Sequence, residues 1–289
     1  MTEKFKRKWG STDSADGQFL APRSVFVYQD EVYVLDLDNY RIQVFDKQGT
    51  FNRKWGEFGT NPGQFNSPNG ITIYLDELYA TDSGNHSIEV FTIQGTFQRQ
   101  IWFPGPDPGY LSQPTNLIVL NDVIYVTDFQ AQRIKKYSTS GTFMGLIPPV
   151  PGTPPILLGP YGIDINQDLI YVHDTTNNWV KILTLGGGVV GTWIPIDQDT
   201  GNPIVSTSIH LTQTEAFMPA YQSNNVHVFG HDGTFKRKFG STGTGNGQFN
   251  APSDCFPYKG ELYIPDQNND RVQVFGAGKI QYLPIMGIG

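Results

Sequence analysis

A single cysteine, Cys255, stands in 289 residues, so the chain can form no internal disulfide and has no thiolate pair to hold a structural metal. No run of eighteen apolar residues exists, which excludes an ordinary membrane-spanning helix. The opening Met-Thr-Glu-Lys-Phe-Lys-Arg-Lys-Trp lacks the apolar centre of a signal peptide, so the chain as given reads as soluble, with its compartment unassigned. Charge is sparse: 16% of residues, with a net charge of −7 that disfavours a general grip on a polyanion. Long helical periodicity, Gly-rich phosphate loops and nucleophile elbows are missing too.

What remains is glycine, proline and short apolar runs. From Gly63 to Trp102 four runs of β-branched, aliphatic and aromatic residues alternate with Pro, Gly, Asn and Asp, the pattern of a four-stranded antiparallel sheet. The residue closing the third run recurs at Phe45, Phe91, Tyr137, Leu183, Phe229 and Phe275, always 46 residues apart. A period in the forties with four strands per copy predicts an all-β, six-bladed β-propeller of four-stranded antiparallel blades. The blades fall near 17–56, 63–102, 109–147, 155–194, 201–240 and 247–289, in a single domain over 1–289.

The segment Lys4 to Gly10 nearly duplicates Thr234 to Gly240 and has no blade of its own. The sixth blade lacks a fourth strand, so residues 3–10 are expected to complete it and close the ring. The final stretch, Lys279 to Gly289, is then surplus. It either takes that outer position itself, packs as an apolar tail, or makes a contact between subunits.

The repeat carries a Gly-Gln-Phe-x-x-Pro entry, a Gly-Ile-x-Val inner strand, a Leu-Tyr-x-x-Asp second strand and an Asn-x-Arg-Ile-Gln-Val-Phe third, seen best in Gly17 to Phe51, Gly63 to Phe97 and Gly247 to Phe275. In these motifs the sequence resembles the NHL-repeat propeller family, over the whole chain. That resemblance implies a fold more than a function. The Asp-x-x-Asn-x-Arg signature (Asp36, Asn39, Arg41; Asp82, Asn85; Asp128, Arg133; Asp174, Asn177; Asp266, Asn269, Arg271) reads as structural, a carboxylate receiving turn amides and a guanidinium. Blades four and five diverge, with Trp179 at the arginine position and Ala220 at the aspartate.

Strand alternation sends every second residue of each inner strand toward the axis. Asn116, Asp164, His210 and Asp254 are the polar members of that set expected to meet a channel ligand. Asp164 and His210 lie one period apart, at matching depth on adjacent blades, and a carboxylate beside an imidazole suits general base chemistry or an ion. In the family the sequence resembles, propeller lyases hold zinc with several channel histidines, and propeller lactonases hold calcium with several channel carboxylates and amides. Only one inner-strand histidine is present here, so no metal and no cofactor is assigned.

The loops at one face offer an amide-rich and hydroxyl-rich platform at Arg23, Tyr40, Asn69, His86, Gln132, Tyr161, Asn178, Asn224 and Asp270. The leading expectation is therefore a non-catalytic recognition or scaffold module for a protein or glycan. The alternatives are a channel enzyme, lyase-like or hydrolase-like, using Asp164 and His210, and single-stranded RNA binding along a basic rim of Lys4, Lys6, Arg7, Lys8, Arg53, Lys54, Lys236, Arg237 and Lys238. The acidic average argues against nucleic acid.

Overall fold

The computed structural model describes residues 3–105, 107–148 and 156–276. The expectations for the tail at 279–289 lie outside these residues. The described chain is all-β, with six four-stranded antiparallel sheets, the composition of a six-bladed β-propeller. It divides into two compact units: residues 56–192 carry blades two, three and four, and residues 3–55 with 193–276 carry blades one, five and six.

Blade two shows how the repeat folds. Pro68–Tyr74, Glu77–Asp82, Ser87–Thr92 and Phe97–Ile101 pair in that order. The first hairpin turns through Leu75 and Asp76, both at positive φ, which matches the right-handed twist of the strands it joins. Gln29 with Asp30, Asn121 with Asp122, and Gln167 with Asp168 turn in the same way. On the inner strand Gly70 is required by closeness: a Cβ there would sit 2.7 Å from Asn116 Oδ1 and 3.0 Å from the Thr115 carbonyl of blade three. Neighbouring blades within a unit share their cores, as Tyr79, Ile88 and Val90 do with Leu117, Val119 and Tyr137.

The sixth blade takes its outer strand from the start of the chain. Lys4–Trp9 pairs antiparallel with Arg271–Gly276, setting Phe5 opposite Phe275 and Trp9 opposite Val272. Blade one sets Phe51 opposite Phe45 and Trp55 opposite Ile42 in the same register. A clamp confirms the equivalence. Arg53 forks onto Glu31 at 2.6 Å and reaches the Tyr33 hydroxyl at 3.1 Å, and Arg99 forks onto Glu77 with Tyr79 alongside. In blade six Arg7 supplies that fork to Glu261, at 2.8 and 2.6 Å, and reaches Tyr263 at 3.2 Å. Blades three and four have Gly145 and Gly191 at the arginine position and lack the clamp.

Blades five and six have shorter inner strands than the repeat predicts, only His210–Leu211 and Phe256–Tyr258. Single bridges, Ser206 to Ala220 and Pro252 to Asp266, continue the pairing. Each of these blades carries a proline in its second strand, Pro219 and Pro265, which removes a ladder donor.

The Asp-x-x-Asn-x-Arg signature serves the fold in blades one and six. Asp36 is fully buried; its Oδ1 accepts the Leu20 amide at 2.7 Å, and its Oδ2 accepts Asn39 at 2.9 Å and Arg41 Nε at 2.8 Å. The Arg41 guanidinium also caps the carbonyls of Ser14, Ala15 and Gln18, so one side chain ties the entry loop to strand three. Asp266, Asn269 and Arg271 repeat this set.

Candidate functional site

In the unit holding blades one, five and six, the inner strands of blades five and one bring His210 and Ser24 to Asp254, two residues before the inner strand of blade six. His210 Nε2 lies 2.8 Å from Asp254 Oδ1, and Asp254 Oδ2 accepts the Ser24 hydroxyl at 2.9 Å and the Val25 amide at 3.0 Å. The Cys255 amide, at 2.9 Å, adds a fourth contact. Burial alone would push the Asp254 carboxyl up; the facing imidazole and these donors outweigh it and hold the carboxyl below its usual range. The Cys255 thiol beside it is buried and pushed well up, which leaves it an inert packing group.

His210 is half-buried while its carboxylate partner is sealed from solvent. Its ring meets Phe256 edge to face, with centroids 5.5 Å apart, and Phe256 packs on Phe26 at 4.4 Å. An imidazole is thus fixed in orientation by a locked carboxylate, with apolar walls on one side. With Nε2–H donated to Asp254, Nδ1 is the acceptor nitrogen, the arrangement that orients a general base. Asp164 lies in the other unit, is buried, and accepts the Ile165 amide at 2.7 Å. Asn116 likewise receives the Leu117 amide, at 2.9 Å.

The loop-face residues take two forms. Tyr40, His86, Gln132, Asn178, Asn224 and Asp270 all occupy the same left-handed position opening the third strand. Three of them reach the next blade: Asp270 accepts the Ala21 amide at 2.8 Å and the Thr12 hydroxyl at 2.5 Å, Asn224 accepts the Ala251 amide at 2.7 Å, and His86 Nδ1 lies 2.9 Å from the Ser112 carbonyl. The residues after the entry proline also make polar contacts. Tyr161 donates to Asn69 at 3.1 Å and Arg23 donates to Gln267 at 3.4 Å.

The basic rim is largely neutralised. Arg7, Arg53 and Arg237 fork onto Glu261, Glu31 and Glu215, while Lys54 pairs with Asp16 and Lys238 with Asp197 and Asp199. Such pairs blunt sheet edges more than they attract phosphate. Among the described residues no group of three or more His, Cys, Asp or Glu side chains is placed to hold a metal ion. No helix there is long and apolar enough to cross a membrane.

No family model matches the chain, and no curated protein does. Solved structures do match. The chain is similar to virginiamycin B lyase from Staphylococcus aureus, with a TM-score of 0.66 at 13% identity, covering 94% of this chain and 99% of that one. A catalytically inactive histidine-to-alanine variant of that enzyme, with quinupristin, matches with a TM-score of 0.60 at 15% identity over 87% of this chain and 79% of that one. A streptogramin B lyase matches with a TM-score of 0.62 at 14% identity, covering 93% and 96%. At these identities the likeness shows the six-bladed propeller fold alone; the NHL signature remains a resemblance of motifs.

Proposed function

We propose that the protein carries out acid–base chemistry of the lyase type, with His210 transferring the proton and Asp254 positioning the ring. The observation that carries this reading is the His210–Asp254 hydrogen bond, backed by Ser24 and the Val25 amide. A buried carboxylate behind a mostly buried imidazole that keeps 18% of its side chain exposed holds one tautomer and stabilises the imidazolium once it forms. Three of the similar solved structures are lyases, and one of these is catalytically inactive with a histidine changed to alanine, while another similar structure is a computationally designed protein. Quinupristin, present with that variant, is the first compound to test. Turnover by the native chain should fall at least ~100-fold in both His210→Ala and Asp254→Asn. Turnover unchanged in both variants would sink the assignment.

A second reading, recognition of a protein or glycan by the loop face, draws on the Tyr161–Asn69 and Arg23–Gln267 contacts, which preset polar side chains before any partner arrives. Capture of a partner by the native chain but not by a variant altered at Tyr40, His86 and Tyr161 supports it. Equal capture removes it.

A further inference from the structure

Blade two departs from its sisters at the buried carboxylate that ends the second strand. In blades one and six a glutamine two residues beyond the arginine turns its amide oxygen to a glycine N–H, Gly17 at 2.9 Å or Gly247 at 3.0 Å. Its nitrogen donates to the aspartate, Gln43 to Asp36 at 3.2 Å and Gln273 to Asp266 at 3.0 Å. Blade three places the Lys135 ammonium 3.0 Å from Asp128 instead. Blade two has neither device. Ser87 stands at the arginine position and Glu89 at the glutamine position.

Glu89 Oε2 accepts the Gly63 amide at 2.9 Å, reproducing the glutamine oxygen. Its other oxygen, at the place of the donating nitrogen, accepts Ser87 Oγ and Gln100 Nε2, each at 2.7 Å. Asp82 accepts the Asn66 amide at 2.7 Å, Asn85 Nδ2 at 2.9 Å, and the Gly84 and Asn85 amides. Both carboxyls are fully buried. Among the described residues no lysine, arginine or histidine reaches either one. The charged groups on the surrounding elements are engaged elsewhere, Glu57 with Gln64, and Glu77 with Arg99. Two adjacent buried charges of one sign, without a cation, are strongly unfavourable.

We propose that Asp82 and Glu89 share a proton in the folded protein, and that blade two is a pH-sensitive element that loosens when this proton is lost. A proton on Glu89 Oε1 restores the donor that glutamine supplies in blades one and six. Burial pushes the Asp82 carboxyl up to about 6, with the neighbouring Glu89 charge adding to the rise, and burial also pushes Glu89 up. A carboxyl raised in the folded state holds its proton more tightly there than in the unfolded chain. Its contribution is therefore present in mild acid and lost as pH rises through about 6.

The test is the thermal midpoint of the full chain from pH 5 to pH 8, native against Glu89→Gln, which installs the residue of blades one and six. The midpoints should nearly coincide at pH 5, and Glu89→Gln should lead by about 2–4 °C or more at pH 8. Ser87→Arg should narrow the native protein's alkaline loss, since it supplies a counter-charge. Infrared spectra of the native chain at pH 5 should show a protonated carboxyl band that fades by pH 8 and that Glu89→Gln removes; this readout does not depend on how the variant's stability moves. Parallel midpoint curves with no such band would overturn the proposal. So would alkaline stabilisation of the native chain by calcium or magnesium that Glu89→Gln abolishes, because a cation would then hold the pair.

Discussion

Arg7 and Glu261 are 254 positions apart in the chain and 2.6 Å apart in space. Neither the first strand nor the last blade is complete alone, and this clamp joins them where blade one joins its own strands through Arg53 and Glu31.

Removing residues 1–10 should therefore strip blade six of its outer strand and lower the thermal midpoint far more than any single substitution. Arg7→Ala alone should cost about 1–2 kcal/mol, because it breaks charge-assisted, partly buried hydrogen bonds. The clamp also sets a pH response. The arginine fork holds Glu261 down at about 2, so its contribution is present above the unfolded value near 4.5 and lost as pH falls toward about 2. Chemical denaturation of both variants, with the native chain titrated through that range, measures each part.

Arg41→Ala should be among the costliest substitutions, at about 3–5 kcal/mol, since it leaves the Asp36 carboxylate buried without its cation. Arg271→Ala should match it, because Asp266 has the same surroundings. Arg133→Ala should cost less than either, because Lys135 already pairs with Asp128. Urea midpoints of the three variants give the order directly.

His227 occupies in blade five the place of Gln43 in blade one. It is fully buried, neither ring nitrogen has a hydrogen-bond partner among the described residues, Asp197 lies 3.7 Å away and Lys238 stands opposite it on the next strand. Burial lowers its pKa to about 4, against 6.5 for the free side chain. The unfolded chain thus takes up the proton first, and stability falls as pH drops from about 6.5 through 4, by roughly 3 kcal/mol at most. His227→Gln should flatten the midpoint curve over that window and leave it unchanged near pH 8. An equal acid loss in native and variant would show that the ring is not the responsible group.

The fold was legible because its signal is repeated. Each hairpin writes its own alternation and turn, and 46-residue spacing forces one interpretation on six copies. The closing strand was legible too, since Lys4 to Trp9 copies Phe235–Phe239 in pattern. The histidine's partner was not. Equal spacing aligns Asp164 with His210 and His210 with Phe256, whereas the hydrogen bond joins residues 44 apart, with Asp254 two positions ahead of Phe256. Spacing reports depth along a strand, and a diagonal bond depends on how far adjacent strands slide past one another. The tips at His86, Asn224 and Asp270 were equally opaque. Those residue types suit a left-handed turn for backbone reasons, and only coordinates show their side chains reaching the next blade.

Lys4 and Gly276 stand opposite each other at the open end of their ladder. In blade one the corresponding strands are joined by the short turn from Lys47 to Thr50. A similar four-residue turn would weld the first strand to the last blade, and the chain could then be opened at another exposed hairpin, such as the one at Gly141. Such a rearrangement would keep every pairing of the ladder and change only which hairpin is cut.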